Sequence, residues 1–335
     1  MRYISTRGQS APVTAAEALL TGLAPDGGLY LPERFPEEMA IAPLAEPNLT
    51  YQQLAQQILS LFLSDYTQTE LKECIHQAYG DNFATPAVTP VTMVSEKLGF
   101  LELWHGPTCA FKDLALQLLP HLLTVAAGKT RFDREIVLLV ATSGDTGKAA
   151  LEGFKDVPGT KVIVFYPEDG VSAVQKRQMI TQEGSNTYVV GVTGNFDQAQ
   201  AGVKALFTNA EFQREMAAAG KTFSSANSIN WGRLVPQLVY YFKAWSELCQ
   251  NHGLAPGETF NVVVPTGNFG NILAAYYGKK LGLPLHKLIC ASNRNNVLTE
   301  FIQTGAYNRN RQFYQTLSPS MDLLVSSNLA RLLYD

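Results

Sequence analysis

Between Asn48 and Gly80 the apolar positions recur at helical spacing, first Leu54, Ile58, Leu61 and Phe62, then Leu71, Cys74, Ile75 and Ala78. Positions three and four apart share one face of a helix, so this stretch predicts helix and no strand. A proline-rich joint follows, Ala84-Thr85-Pro86-Ala87-Val88-Thr89-Pro90. Proline restricts its own backbone and that of the residue before it, so the joint is read as a boundary between structural units. From Glu135 the pattern alternates. Short apolar runs at Ile136–Ala141, Val162–Tyr166, Thr187–Val192, Val262–Val264 and Leu288–Ala291 are each followed by helical spacing. The first three of these helices are expected from Lys148, through Gln182, and across Ala201–Phe207. Strands that alternate with helices predict an α/β chain with parallel sheets built from βαβ units. Ligands bind such sheets at the carboxyl ends of the strands, which directs attention to the loops opening at Thr142, Ser224 and Pro265.

At 335 residues the chain is longer than one core usually takes, so two or three domains are expected. Hydrophobic residues are 46% and charged residues 16%, a folded rather than a disordered composition. A formal charge of −3 supplies no basic field for nucleic acid. Cys74, Cys109, Cys249 and Cys290 form no CxxC pair, and the five histidines show no HExxH spacing. Reduced thiols and no metal are therefore expected. The opening MRYISTRGQSAPVTAAEALL has no apolar signal core, and no run reaches the roughly 18 apolar residues of a membrane span. A cytoplasmic protein without a membrane or nucleic-acid partner is the expectation.

Four loops carry candidate chemistry. Pro265-Thr266-Gly267-Asn268-Phe269-Gly270-Asn271 joins a strand to a helix. Its glycines permit close backbone approach, and helix-start amides attract an anion, so it reads as a phosphate cradle or as an ordinary βα turn. Thr142-Ser143-Gly144-Asp145-Thr146-Gly147 gathers hydroxyls and amides suited to a carboxylate or phosphate, and equally suited to capping the helix. In Ser225-Ala226-Asn227-Ser228-Ile229-Asn230-Trp231-Gly232-Arg233 two neutral donors precede one arginine, the residue for bidentate oxyanion recognition. The bland alternative is a cap followed by a solvated arginine. His105-Gly106-Pro107-Thr108-Cys109-Ala110-Phe111-Lys112-Asp113 places Lys112 in the first turn of a Leu/Ala-rich helix. There the helix dipole and apolar neighbours disfavour the charged amine, which suits Schiff-base chemistry. From position alone a solvated surface lysine is the competing reading. No GxGxxG or GxSxG is present, and Leu123 stands where a P-loop ahead of Gly128-Lys129-Thr130 needs glycine.

Together HGPTCAFKD, ATSGDTG, SANSINWGR and PTGNFGN resemble threonine synthase, in the fold-type II group of pyridoxal-phosphate (PLP) enzymes that includes the tryptophan synthase β chain. STRG and GLAPDGGLYLPERFP look like that family's N-terminal domain, and SPSMDLLVSSNLARLL is similar to a segment of its longer bacterial and fungal branch. The resemblance covers essentially the whole chain. It implies an N-terminal domain at 1–90, a large PLP-binding domain at 91–134 and 231–335, and a small mobile α/β domain at 135–230 that closes over substrate. It implies that Lys112 holds the cofactor and moves protons, and that Gly267, Asn268, Phe269, Gly270 and Asn271 bind the cofactor phosphate, largely through amides. Asp145 falls beside the cofactor's phenolic oxygen. Thr142, Ser143 and Thr146 hold the substrate carboxylate, and Asn227, Ser228 and Arg233 the substrate phosphate. The implied reaction converts O-phospho-L-homoserine and water to L-threonine and phosphate, in a monomer or homodimer. Family chains usually continue past Leu333-Tyr334-Asp335 with a segment that gives a hydroxyl to the pyridine nitrogen. No candidate for that hydroxyl stands here, so an incomplete large domain is expected. A phospholyase or dehydratase of the same fold, or a non-catalytic PLP-binding homologue, are the alternatives.

Overall fold

The structure is a computed structural model and describes every residue except 47, 48, 143, 169 and 195. Asn48, where the helical reading begins, and Ser143 thus lie outside the described residues. In the N-terminal region β1 (Tyr3–Ser5) and β2 (Tyr30–Pro32) pair antiparallel, with α1 (Ala15–Thr21) between them. The helical stretch forms α2 (Tyr51–Phe62) and α3 (Gln68–Ala78). Each of these three helices starts at a threonine, Thr14, Thr50 or Thr67, whose side chain accepts from the amide three residues on, where a Glu or Gln returns the bond. Such reciprocal capping satisfies amides that the helix itself cannot. Tyr51, Leu54, Ala55, Ile58, Leu59 and Phe62 form the buried face of α2.

Past the proline joint, β3 (Val91–Ser95) and β4 (Leu98–Leu101) make an antiparallel hairpin, followed by α4 (Asp113–Leu116) and α5 (Leu119–Lys129). The alternating region then forms β5 (Glu135–Ala141), α6 (Asp145–Gly153), β6 (Thr160–Pro167), α7 (Ala173–Ile180), β7 (Thr187–Val192), α8 (Phe196–Thr208), α9 (Ala210–Ala218) and β8 (Lys221–Ser224). Its four strands lie parallel in the order β7-β6-β5-β8. Ile136 to Ala141 are all buried, as expected of a central parallel strand covered on both faces. The helix expected from Lys148 begins three residues earlier, at Asp145. Gly144 adopts φ 154°, a conformation closed to other residues, and turns the chain directly into the helix.

The remainder comprises α10 (Trp231–Leu234), α11 (Pro236–Asn251), β9 (Phe260–Pro265), α12 (Gly270–Lys280), β10 (Leu285–Ala291), α13 (Val297–Thr304) and α14 (Leu329–Tyr334). Strands β9 and β10 pair parallel. Unlike β5, these two apolar runs are buried on one face only, and Val263 and Ile289 are exposed on the other. Helix α11 is enclosed by the rest of the protein and carries Trp245, Tyr240 and Phe242 into the main core. A smaller apolar cluster, Val137, Leu139, Ala141, Ala199 and Val203, joins the parallel sheet to α8. No helix among the described residues is long and apolar enough to cross a membrane.

One contact sets the register between α4 and α6. A Cβ added at Gly153 would collide with the backbone oxygen of Leu116. The glycine lets the two helices meet backbone to backbone, which brings their N-termini, Lys112 and Asp145, face to face. Gly153→Ala should cost about 1–3 kcal/mol by overpacking, read as a lower denaturant midpoint at unchanged slope. An unchanged midpoint would show that the helices can separate freely.

Candidate active site

Lys112 is the residue before α4, its N-cap, rather than a member of the first turn. The preceding loop is folded over Asp113, whose carboxylate accepts from the Thr108 amide at 2.9 Å and the Thr108 hydroxyl at 2.6 Å. Gly106 lies so close to the Asp113 side chain that a Cβ would overlap it. Cys109 takes a left-handed φ of 57° to complete the turn. The lysine side chain is thereby directed inward, 11% exposed, with Nζ 2.7 Å from Asp145 Oδ2 and 4.5 Å from the Phe111 ring centre. Burial pushes the Lys112 amine below the ordinary lysine range. Asp145 opposes that shift, and the positive charge of Arg233 reinforces it. For Asp145, burial favours the protonated acid, but Lys112, helped by Ser320 and the Thr146 amide, holds the carboxyl below its usual range.

Asp145 opens α6, and Ser320, from the chain's last third, helps hold its carboxyl low. Thr142 is buried, and its Oγ1 accepts from the amides of Gly144 and Gly147, each at 3.0 Å. The hydroxyl is thus engaged in shaping the loop. Thr146 follows Asp145 in the first turn of α6 and is partly exposed, and Gln175 of α7 lies against Gly144.

In the loop after β9, Phe269 takes a left-handed φ of 66° and caps α12, which starts at Gly270. The backbone amides of Gly267, Asn268, Phe269, Gly270 and Asn271 donate to no group among the described residues. The Asn271 side chain is turned into the core, its oxygen accepting from both Tyr240 and Tyr241. Gly267 lies beneath Met321 and Leu323, and a side chain there would press on both.

Arg233 lies in α10, 2% exposed. Its Nη1 donates to the Ala226 carbonyl, its Nε has no partner, and no carboxylate comes within ion-pair range among the described residues. Burial pushes its pKa down to about 10, against the pull of Asp145 and Asp113. A buried cation with an unused donor is costly unless an anion meets it. Asn227 and Ser228 are partly exposed, and their side chains have no hydrogen-bond partner among the described residues. The backbone of α10 is tied by Gln237 Nε2, which donates to the Arg233 carbonyl, while Tyr240 contacts both Gln237 and Asn271. Arg233 and the 267–271 loop therefore share one support, α11.

Residues 2–79 match the family of the threonine synthase N terminus, and residues 86–335 match the family of pyridoxal-phosphate-dependent enzymes. Threonine synthase from Pseudomonas aeruginosa is 42% identical across the whole chain, which spans 69% of that protein. The chain belongs to the threonine synthase family. The crystal structure of PLP-bound threonine synthase from Brucella melitensis superposes over the full chain with TM-score 0.90 at 40% identity, the chain covering 69% of it. Yeast threonine synthase superposes over 99% of the chain with TM-score 0.89 at 37% identity, the chain covering 66% of it. Threonine synthase-like 1 from mouse is 45% identical over 96% of the chain, which spans only 44% of that protein. The expected fold, α/β and fold-type II, is thus the fold of this chain, and pyridoxal phosphate is the cofactor of its family.

The residues of this threonine synthase family member fit that cofactor. A buried amine with a lowered pKa can be neutral where an exposed lysine is not, and a row of unused amides at a helix start suits a phosphate. When bound, PLP supplies an electron sink for negative charge at a substrate α-carbon. The pairing with Asp145 makes a signed prediction. Asp145 raises the Lys112 pKa, so Asp145→Asn should lower it further. Attachment of PLP requires the neutral amine, which is present above that pKa. Its pH midpoint, followed by absorbance, should therefore move to lower pH. A midpoint unmoved or moved upward would contradict the assignment of this pair.

Sequence reasoning missed Ser320, Gln237, Tyr240 and Tyr241. Ser320 lay within SPSMD, a run similar to the family's but without an assigned role, and the other three sit on a helix whose apolar neighbours signal only core.

Proposed function

We propose that this chain carries the site of a threonine synthase, converting O-phospho-L-homoserine and water to L-threonine and phosphate. The observation that carries the reading is Arg233, a buried arginine with an unused donor in the neighbourhood of Lys112 and Asp145. A lyase acting on an unphosphorylated amino acid needs the lysine and the glycine loop but has no use for a second phosphate site.

The roles are those the resemblance implies, and the geometry supports them. Lys112 would hold the cofactor and, once released from it, carry protons at the substrate's α and β carbons, since its amine can be neutral in this setting. The amides of 267–271 would hold the cofactor phosphate. The start of α6, with Thr146 and the Thr142-shaped loop, would face the substrate carboxylate. Arg233, with Asn227 and Ser228, would bind the substrate phosphate and stabilise it as it leaves. Two anion sites on separate loops keep the two phosphates apart.

The test is product analysis with PLP and O-phospho-L-homoserine. Threonine and phosphate in equal amounts are expected. Phosphate with a 2-oxo acid and no threonine would make the chain a phospholyase, and no product from protein that binds PLP would make it a non-catalytic homologue.

A further inference from the structure

The two candidate anion loops are joined by a short segment that neither of them contains. Ser326 Oγ donates to the Gly267 carbonyl at 2.6 Å. The Asn328 amide and side chain both donate to the Asn268 carbonyl, at 3.1 and 3.2 Å. The same side-chain nitrogen reaches the Ser228 carbonyl at 3.1 Å. Arg331 donates through Nη2 to the Ile229 carbonyl at 2.7 Å, through Nε to the Tyr30 carbonyl at 2.8 Å, and through Nη1 to the Asn328 side-chain oxygen. Asn328 and Arg331 are both wholly buried. No carboxylate lies within ion-pair range of Arg331 among the described residues, so its charge is met by two backbone carbonyls, the Asn328 side-chain oxygen and the face of Trp231.

The direction of these bonds matters. In a trans peptide the N–H points opposite to the C=O of the same plane. Drawing the Gly267 and Asn268 carbonyls toward residues 326–328 turns the amides of Asn268 and Phe269 the other way. Those are amides that find no partner in the protein.

We propose that Asn328 and Arg331 are positioning residues: Asn328 clamps the 267–271 and 227–233 loops together with the cradle amides facing outward, and Arg331 fixes Asn328 and anchors the pair to β2. The proposal rests on the reading of 267–271 as the cradle for the cofactor phosphate. It predicts that the clamp acts on recognition of the phosphate and not on the lysine.

The test compares PLP with pyridoxal, which lacks the phosphate, by spectroscopic titration of the apo chain. Asn328→Asp keeps the side chain's size and its Arg331 contact while replacing the donor by an acceptor. Its PLP dissociation constant should rise about tenfold to a hundredfold, the usual effect of one lost buried hydrogen bond with its partners left unmet, while pyridoxal affinity stays at the wild-type value. Arg331→Lys, which keeps the charge but not the three-way fork, should give the same selective loss in smaller degree, and serves if Asn328→Asp melts. A wild-type preference for PLP that survives both substitutions would overturn the clamp alone. Equal weakening of PLP and pyridoxal would also overturn it, by showing a general structural role. Wild-type protein that binds PLP no better than pyridoxal would instead overturn the cradle reading beneath it.

Discussion

Arg233→Met is expected to cut kcat/KM for O-phospho-L-homoserine by roughly 30-fold to several thousandfold, the 2–5 kcal/mol typical of removing one partner from a buried charge pair. PLP binding should stay intact, because the arginine is assigned to the other anion. The same substitution should leave the melting temperature of the apo protein at or above the wild-type value. Without substrate Arg233 is a desolvated cation with one unused donor and no ion pair among the described residues, an arrangement that opposes folding. Activity and stability then move in opposite directions, the signature of a residue kept for binding. Arg233→Lys keeps the charge but loses the planar fork and should recover only part of the rate. A large fall in melting temperature with unchanged kcat/KM would make Arg233 a structural residue.

Lys112→Ala should have the largest effect on turnover. The absorbance of bound PLP should be lost or shifted, and activity should fall by at least about 10²–10⁴-fold, the usual share of a proton-transferring group, before the loss of cofactor attachment is added. The substitution also leaves Asp145 partly buried without its cation. Lys112→Arg keeps a cation beside Asp145 but cannot supply a neutral amine. Catalysis by either variant near the wild-type rate would contradict the assignment.

The candidate site was legible in the sequence wherever it depended on local chemistry. Gly-Asn-Phe-Gly-Asn after an apolar run marks a strand, a turn and a helix start, and the structure has Pro265, Phe269 and Gly270 at those places. Thr187–Val192 matches β7 residue for residue, because β-branched and aromatic positions there are flanked by polar and glycine-containing turns. The spacing puts the start of α6 three residues late, since the Gly144 conformation that permits an early start leaves no mark beyond the glycine itself. Lys112 looked ambiguous for a different reason. Its burial depends on Asp145, 33 positions away, and on a loop wound about Asp113, neither of which periodicity reveals. Asn328 and Arg331 were harder still. Apart from their bond to each other, their partners lie about 60 to 300 residues distant in sequence and are backbone carbonyls, which carry no side-chain signal. Pattern alone would set a buried arginine with no carboxylate partner on the surface.

Lys112 is proposed as the cofactor lysine of a site built from these four loops. The most direct test is borohydride trapping of PLP on the intact chain, followed by peptide mapping of the labelled residue. One label per chain is expected, on Lys112, as is its loss when inorganic phosphate competes for the 267–271 amides. A label on another lysine, such as Lys148 or Lys176, or labelling spread over exposed lysines, would contradict it.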